Sequence, residues 1–144
     1  MQINTQQPPE HIYKPCKEKF GIDFDRGTIF TVGEDIHIKN PDKLSQDLLA
    51  HELVHIIQQQ EIGADNWWER YLEDDAFRLE QEIEAYGEQY RYAQEKYNRQ
   101  QRRLLLKEMS ENLSGKMYGN LLSKEQAKEL IMNYEAPSET KRNR

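Results

Sequence analysis

Residues 51–55 read His51-Glu52-Leu53-Val54-His55, and no other stretch restricts the chain's folding as strongly. The pattern H-E-x-x-H lies in a run with helical periodicity. One turn separates the two histidines there, so both imidazoles leave the same face. Two neutral imidazoles from one turn can share one ion, and zinc suits that donor type. Glu52 follows the first histidine, about 100° round the helix. Its carboxylate can reach a metal-bound water without taking a coordination position. Two ligands and one base are the parts of a metal-dependent hydrolase.

The pattern around the motif predicts a helix from about Pro41–Ser45 to about Gln60, with Gly63 as its stop. Leu49, Leu53 and Ile56 form an apolar stripe with Val54 and Ile57 beside it, while Leu48, His51, Glu52 and His55 share a neighbouring face. One side therefore packs into a core and the other faces a site. Upstream, residues 21–24, 28–32 and 36–38 alternate or are rich in β-formers, and turn residues separate them. They predict two or three short antiparallel strands. Downstream, Asn66 with Glu69 reads as a capping box for a short helix carrying Trp67, Trp68, Tyr71 and Leu72. Adjacent indoles on a helix face different ways, so one of them is expected at a contact surface. A long helix is predicted from about Ala76 to about Leu106, its Gln- and Arg-rich end projecting into solvent or onto another protein. Residues 110–120 read as a loop, and Ser123 with Gln126 opens a last helix to about Asn133. The fold class is α+β. Residues 1–19 form an irregular N-terminal arm, 20–134 one domain and 135–144 a flexible tail.

Charge and cysteine usage narrow the function classes. A net charge of −6 leaves no excess of Lys and Arg to neutralise phosphates, which argues against a nucleic-acid partner. The local basic cluster of Arg99, Arg102, Arg103 and Lys107 is flanked by acids. Cys16 is the single cysteine, so neither an internal disulfide nor a four-cysteine zinc site can form, and the thiol is expected to be inert. The first residues lack the basic start and apolar stretch of a signal peptide, and no apolar run is long enough for a membrane span. The expected location is cytoplasmic.

Two histidines need a third protein ligand to make a catalytic zinc site. The run Leu79-Glu80-Gln81-Glu82-Ile83-Glu84-Ala85 holds three carboxylates that compete for the place. The motif together with Glu82-Ile83-Glu84-Ala85 resembles the glutamate-ligand zincins, the gluzincins, and on that likeness Glu82 is the third ligand. His51 to Gln59 is similar to the H-E-L-x-H-x-x-Q-Q helix of small zincin-like domains encoded by bacteria and phages, and residues 31–38 resemble the hairpin before it. The likeness covers roughly residues 28–90. It implies a minimal zincin-like fold, a Zn2+ cofactor and peptide-bond hydrolysis with Glu52 as general base. One position departs from the larger gluzincins: Tyr86 stands where an acid supports a ligand histidine, so Glu84 or Asp75 is expected to give that support.

Tyr71, Tyr86, Tyr90 and His37 are the candidates for stabilising an oxyanion. Arg78 is expected to pair with Asp74 or Glu82. The strand before the motif helix would receive an extended peptide, which makes a peptide or protein the expected substrate. Two other readings compete with a zinc endopeptidase. One is a non-catalytic zincin-fold protein serving assembly, such as a phage structural or accessory protein, virion-associated and partnered through the arm and the long helix. The other is a latent protease whose residues 1–19 cover the cleft.

Overall fold

The computed structural model describes residues 1–136, and the expected tail falls almost wholly outside them. The N-terminal segment is not irregular. Gln2–Asn4 forms strand β1 and Glu10–Phe20 forms helix α1, whose Ile12, Tyr13 and Cys16 are buried. The sequence hides this because the strand is short and its hydrogen bonds come from residues more than thirty positions away. β1 pairs in parallel with β3 (Asp35–His37), which pairs antiparallel with β2 (Phe30–Val32). The hairpin at Gly33 is therefore as expected, but the third strand comes from the N-terminus. Residues 24–26 form a 3-10 turn, not a strand, with Asp23 accepting from the Asp25 backbone N–H.

Helix α2 spans Gln46–Ile62 and ends at Gly63. Its buried face is Asp47, His51, Glu52, Val54, His55, Ile56, Gln58 and Gln59, so polar residues dominate it. Leu53 and Ile57, expected in the core, are 38% and 40% exposed. The expected apolar stripe thus faces partly outward, because α2 turns its polar face toward α4. Helix α3 (Ala64–Glu73) is capped by Gly63 and not by Asn66, and it buries both Trp67 and Trp68. Neither indole marks a surface.

Helix α4 (Asp75–Lys96) opens with Asp74 as N-cap and stops at Tyr97, about ten residues before the predicted end. Asn98 and Gln101 form a reciprocal capping box there, and α5 (Arg99–Leu113) folds back on α4 instead of projecting. Leu106, Met109 and Leu113 are the reason: they join Leu79, Tyr90, Tyr118, Ala127 and Ile131 in one buried cluster. The capping box at Ser123 opens α6 (Lys124–Met132) as predicted. A second cluster joins α1, α3 and the start of β2 through Tyr13, Phe24, Phe30, Trp68 and Tyr71. Arg78 is 1% exposed and pairs with Asp75, not with Asp74 or Glu82. Its guanidinium also donates to the carbonyls of Met117 and Tyr71. The α+β class holds, and among the described residues it comprises six helices and one three-stranded sheet.

Candidate metal centre

Helices α2 and α4 make the most extensive helix–helix contact among the described residues, and the site lies between them. His51 and His55 leave α2 one turn apart, and their Nε2 atoms stand 3.2 Å from each other. Glu82 Oε1 from α4 stands 3.0 Å from His51 Nε2 and 3.1 Å from His55 Nε2. Three atoms so spaced come close to the edges of a tetrahedral site, where ligands at ~2.1 Å lie ~3.4 Å apart. His51, Glu52 and His55 also offer ligand atoms within 4.8 Å of one another. Glu52 nevertheless differs from Glu82. Its Oε1 accepts from Thr31 Oγ1 at 2.9 Å, and its Oε2 is 4.0 Å from His51 Nε2, beyond that edge length. Of the competing carboxylates, Glu80 is exposed and Glu84 half-buried, while Glu82 is buried.

The surrounding hydrogen bonds fix both imidazole tautomers. Gln89 donates its amide nitrogen to Asp47 Oδ2 at 2.8 Å, so its carbonyl oxygen is the atom facing His51 Nδ1 at 3.0 Å. Gln58 donates to the Gln81 carbonyl at 3.0 Å, so its oxygen faces His55 Nδ1 at 2.8 Å. An amide oxygen only accepts, and each Nδ1 must therefore carry the proton. Neutral imidazoles held this way turn two bare Nε2 lone pairs toward a carboxylate oxygen. Three lone pairs at about 3 Å repel one another unless a cation sits among them. That cation is either a metal ion or a proton.

The electrostatics of the metal-free chain agree. Burial disfavours an imidazolium at His55, but the Glu82 charge and its hydrogen bond outweigh burial and push the group up to about 9. Burial would raise Glu82 too, yet the two histidines hold it well below the usual carboxylate range. Tyr71 donates to Glu82 Oε2 at 2.6 Å, and burial together with the Glu82 charge raises its phenol well above the ordinary value. Support for the histidines thus comes from Gln58, Gln89 and, behind Gln89, Asp47 and Tyr97 (Tyr97 OH to Asp47 Oδ1, 2.5 Å). Neither Glu84 nor Asp75 fills that role; Asp75 is tied to Arg78. The amides were discoverable in the sequence, since Gln58 is one turn after His55 and Gln89 is two turns after Glu82 on the same face.

A cavity of about 330 Å³ opens beside these residues, with Thr28, Ile29, Tyr86, Met109 and Asn112 among its walls. No residue of 1–19 lines it, so the N-terminal arm does not cover the cleft. Of the four oxyanion candidates only Tyr71 and Tyr86 line the cavity. The Tyr71 hydroxyl is committed to Glu82, whereas the Tyr86 ring lies against His51 at 4.6 Å. Tyr90 packs in the α4–α5–α6 cluster, and His37 Nδ1 faces the Gln6 carbonyl.

The strand expected to receive a peptide is closed at its centre. The Thr31 carbonyl accepts from Gln59 Nε2 at 2.7 Å and from Trp68 Nε1 at 3.1 Å, which uses both of its lone pairs. Gln59 Oε1 accepts from the Gly33 N–H at 2.7 Å. The Gln59 amide therefore occupies the outer edge of β2 as a neighbouring strand would.

Residues 26–63 match the family model described as the eCIS core domain. This stretch holds β2, β3 and α2, and ends before Glu82 and Gln89. The eCIS name refers to extracellular contractile injection systems, which are phage-tail-like. Neither the curated proteins nor the solved structures contain a match to the chain. No helix among the described residues is long and apolar enough to cross a membrane.

Proposed function

We propose that the chain is an accessory component of a phage-tail-like contractile injection system, built around a zinc ion held by His51, His55 and Glu82. The observation that carries the metal is the convergence of two Nδ1-protonated imidazoles and a buried carboxylate on one point. Two imidazoles and one carboxylate are a familiar zinc donor set. The accessory role draws on the likeness of residues 26–63 to the eCIS core domain and on the occupied edge of β2. Elemental analysis of purified protein tests the centre. One zinc per chain is expected, with loss in Glu82→Ala and His55→Ala variants that keep their circular dichroism. Protein that stays metal-free after incubation with zinc would overturn it. Co-sedimentation with sheathed tail-like particles, when the chain is produced together with them, tests the role.

Glu52 favours a second reading, a zinc-dependent endopeptidase. Its carboxylate is buried, is held by Thr31 and stands beside the three-atom cluster without joining it. A zinc ion held by His51, His55 and Glu82 would supply Lewis acidity for a bound water and a carbonyl. In this reading Glu52 would serve as the general base, taking a proton from the water and passing it to the leaving amine. A peptide-library digest separates the readings. Cleavage by the native chain and not by Glu52→Gln establishes the peptidase. A full complement of zinc with cleavage by neither form supports the accessory role.

A further inference from the structure

Helices α5 and α6 enclose a groove of about 570 Å³ that lies outside the metal centre. α5 brings Arg103 and Lys107 to it, one turn apart, and α6 brings Lys124 and Lys128 at the same spacing. All four are exposed, and none makes an ion pair among the described residues. Leu104 stands among them at 62% exposure. In a chain of net charge −6, four unpaired cations round one groove are a local reversal of sign. Internal partners do not explain them. Glu111 lies one turn after Lys107, in the weaker Lys-before-Glu order, and the two do not pair here.

We propose that this groove docks an acidic amphipathic helix of another protein. Two pairs of cations at helical spacing complement carboxylates repeated along one side of such a helix, and an apolar residue between them would cover Leu104. Glu111 and Glu125 also line the groove, so its partner must set neutral or basic residues beside its carboxylates, a mixed surface that a helix offers and a uniformly charged phosphate backbone does not. The surface is independent of the zinc and of any catalysis.

The test is fluorescence anisotropy with a labelled fifteen-residue peptide that carries Glu along one helical side with a Leu between. A scrambled peptide and a single-stranded oligonucleotide serve as competitors. Saturable binding that weakens about tenfold between low and moderate salt is expected. A Lys107→Glu/Lys128→Glu variant should lose at least about tenfold in affinity, and Lys107→Gln/Lys128→Gln an intermediate amount. Both variants must keep the native dichroism and melting temperature, which the exposure of these side chains favours. Binding that is unchanged in the charge-reversed variant, equal for the scrambled peptide, displaced preferentially by the oligonucleotide, or absent would overturn the proposal.

Discussion

Each residue of the H-E-x-x-H-x-x-Q-Q stretch with a polar side chain has a separate task. His51 and His55 aim Nε2, Glu52 holds Thr31, Gln58 fixes one tautomer and Gln59 closes a strand. Gln89 fixes the other tautomer from α4. Replacing Gln89 or Gln58 by Leu removes the acceptor that keeps an Nδ1 protonated, and metal affinity should fall about 10- to 100-fold by competition with a chromophoric chelator. Unchanged affinity in both variants would show that the amides do not orient the imidazoles. The His55 proton gives a pH prediction. Its folded value of about 9 lies above the ~6.5 of a free histidine, so this stabilisation is complete below ~6.5 and is lost as pH rises through about 9. Glu82 is shifted the other way, so its share is present above ~4.5 and fades in acid. Chelator-treated protein should therefore melt at lower temperature at pH 9 than at pH 6.5. Zinc-loaded protein should show no such fall, because the metal displaces the proton. A flat profile for the metal-free chain would count against a proton shared between His55 and Glu82.

Among the elements, β2 and α5 are the ones whose neighbours change their meaning. β2 shows β-forming residues in sequence and looks like an edge open to a peptide, yet Gln59 and Trp68 saturate the Thr31 carbonyl. Gln59→Ala strips the Gly33 N–H of its partner and leaves the Thr31 carbonyl with one donor. It should cost on the order of 1–3 kcal/mol in urea denaturation, and a loss below about 0.5 kcal/mol would mean that water replaces the amide without penalty. α5 reads as the solvent-exposed end of α4 because Gln and Arg crowd its first turns. The break at Tyr97-Asn98 lets Leu106, Met109 and Leu113 reach the core, while Arg103 and Lys107 stay on the outer face.

For the whole molecule, the site sits where two helices far apart in sequence meet, so a bound metal links them. An ion that binds the folded chain alone stabilises it by roughly 2.7 kcal/mol at a free concentration one hundred times its Kd. Chelation should then lower the melting temperature by on the order of 10 °C, with zinc restoring it. No shift would indicate that the α2–α4 contact needs no cation beyond a proton. Cys16 adds no competing metal site: burial pushes its thiol up to about 12, which leaves it neutral at ordinary pH.

Much of this was legible in the chain itself, because some of the relevant distances are local. His51, Glu52 and His55 lie within one turn, so helical periodicity alone puts both imidazoles on one face. The same local rule placed α2, α6 and the β2–β3 hairpin. What periodicity cannot specify is which way a helix faces or what meets it. The outward turn of Leu53, the parallel pairing of β1, the folding back of α5 and the arrival of Gln89 behind His51 all depend on contacts between distant segments. So does the choice of Glu82 over Glu80 and Glu84: all three are carboxylates on one helix, and only the packing of α4 against α2 brings a single one to the histidines.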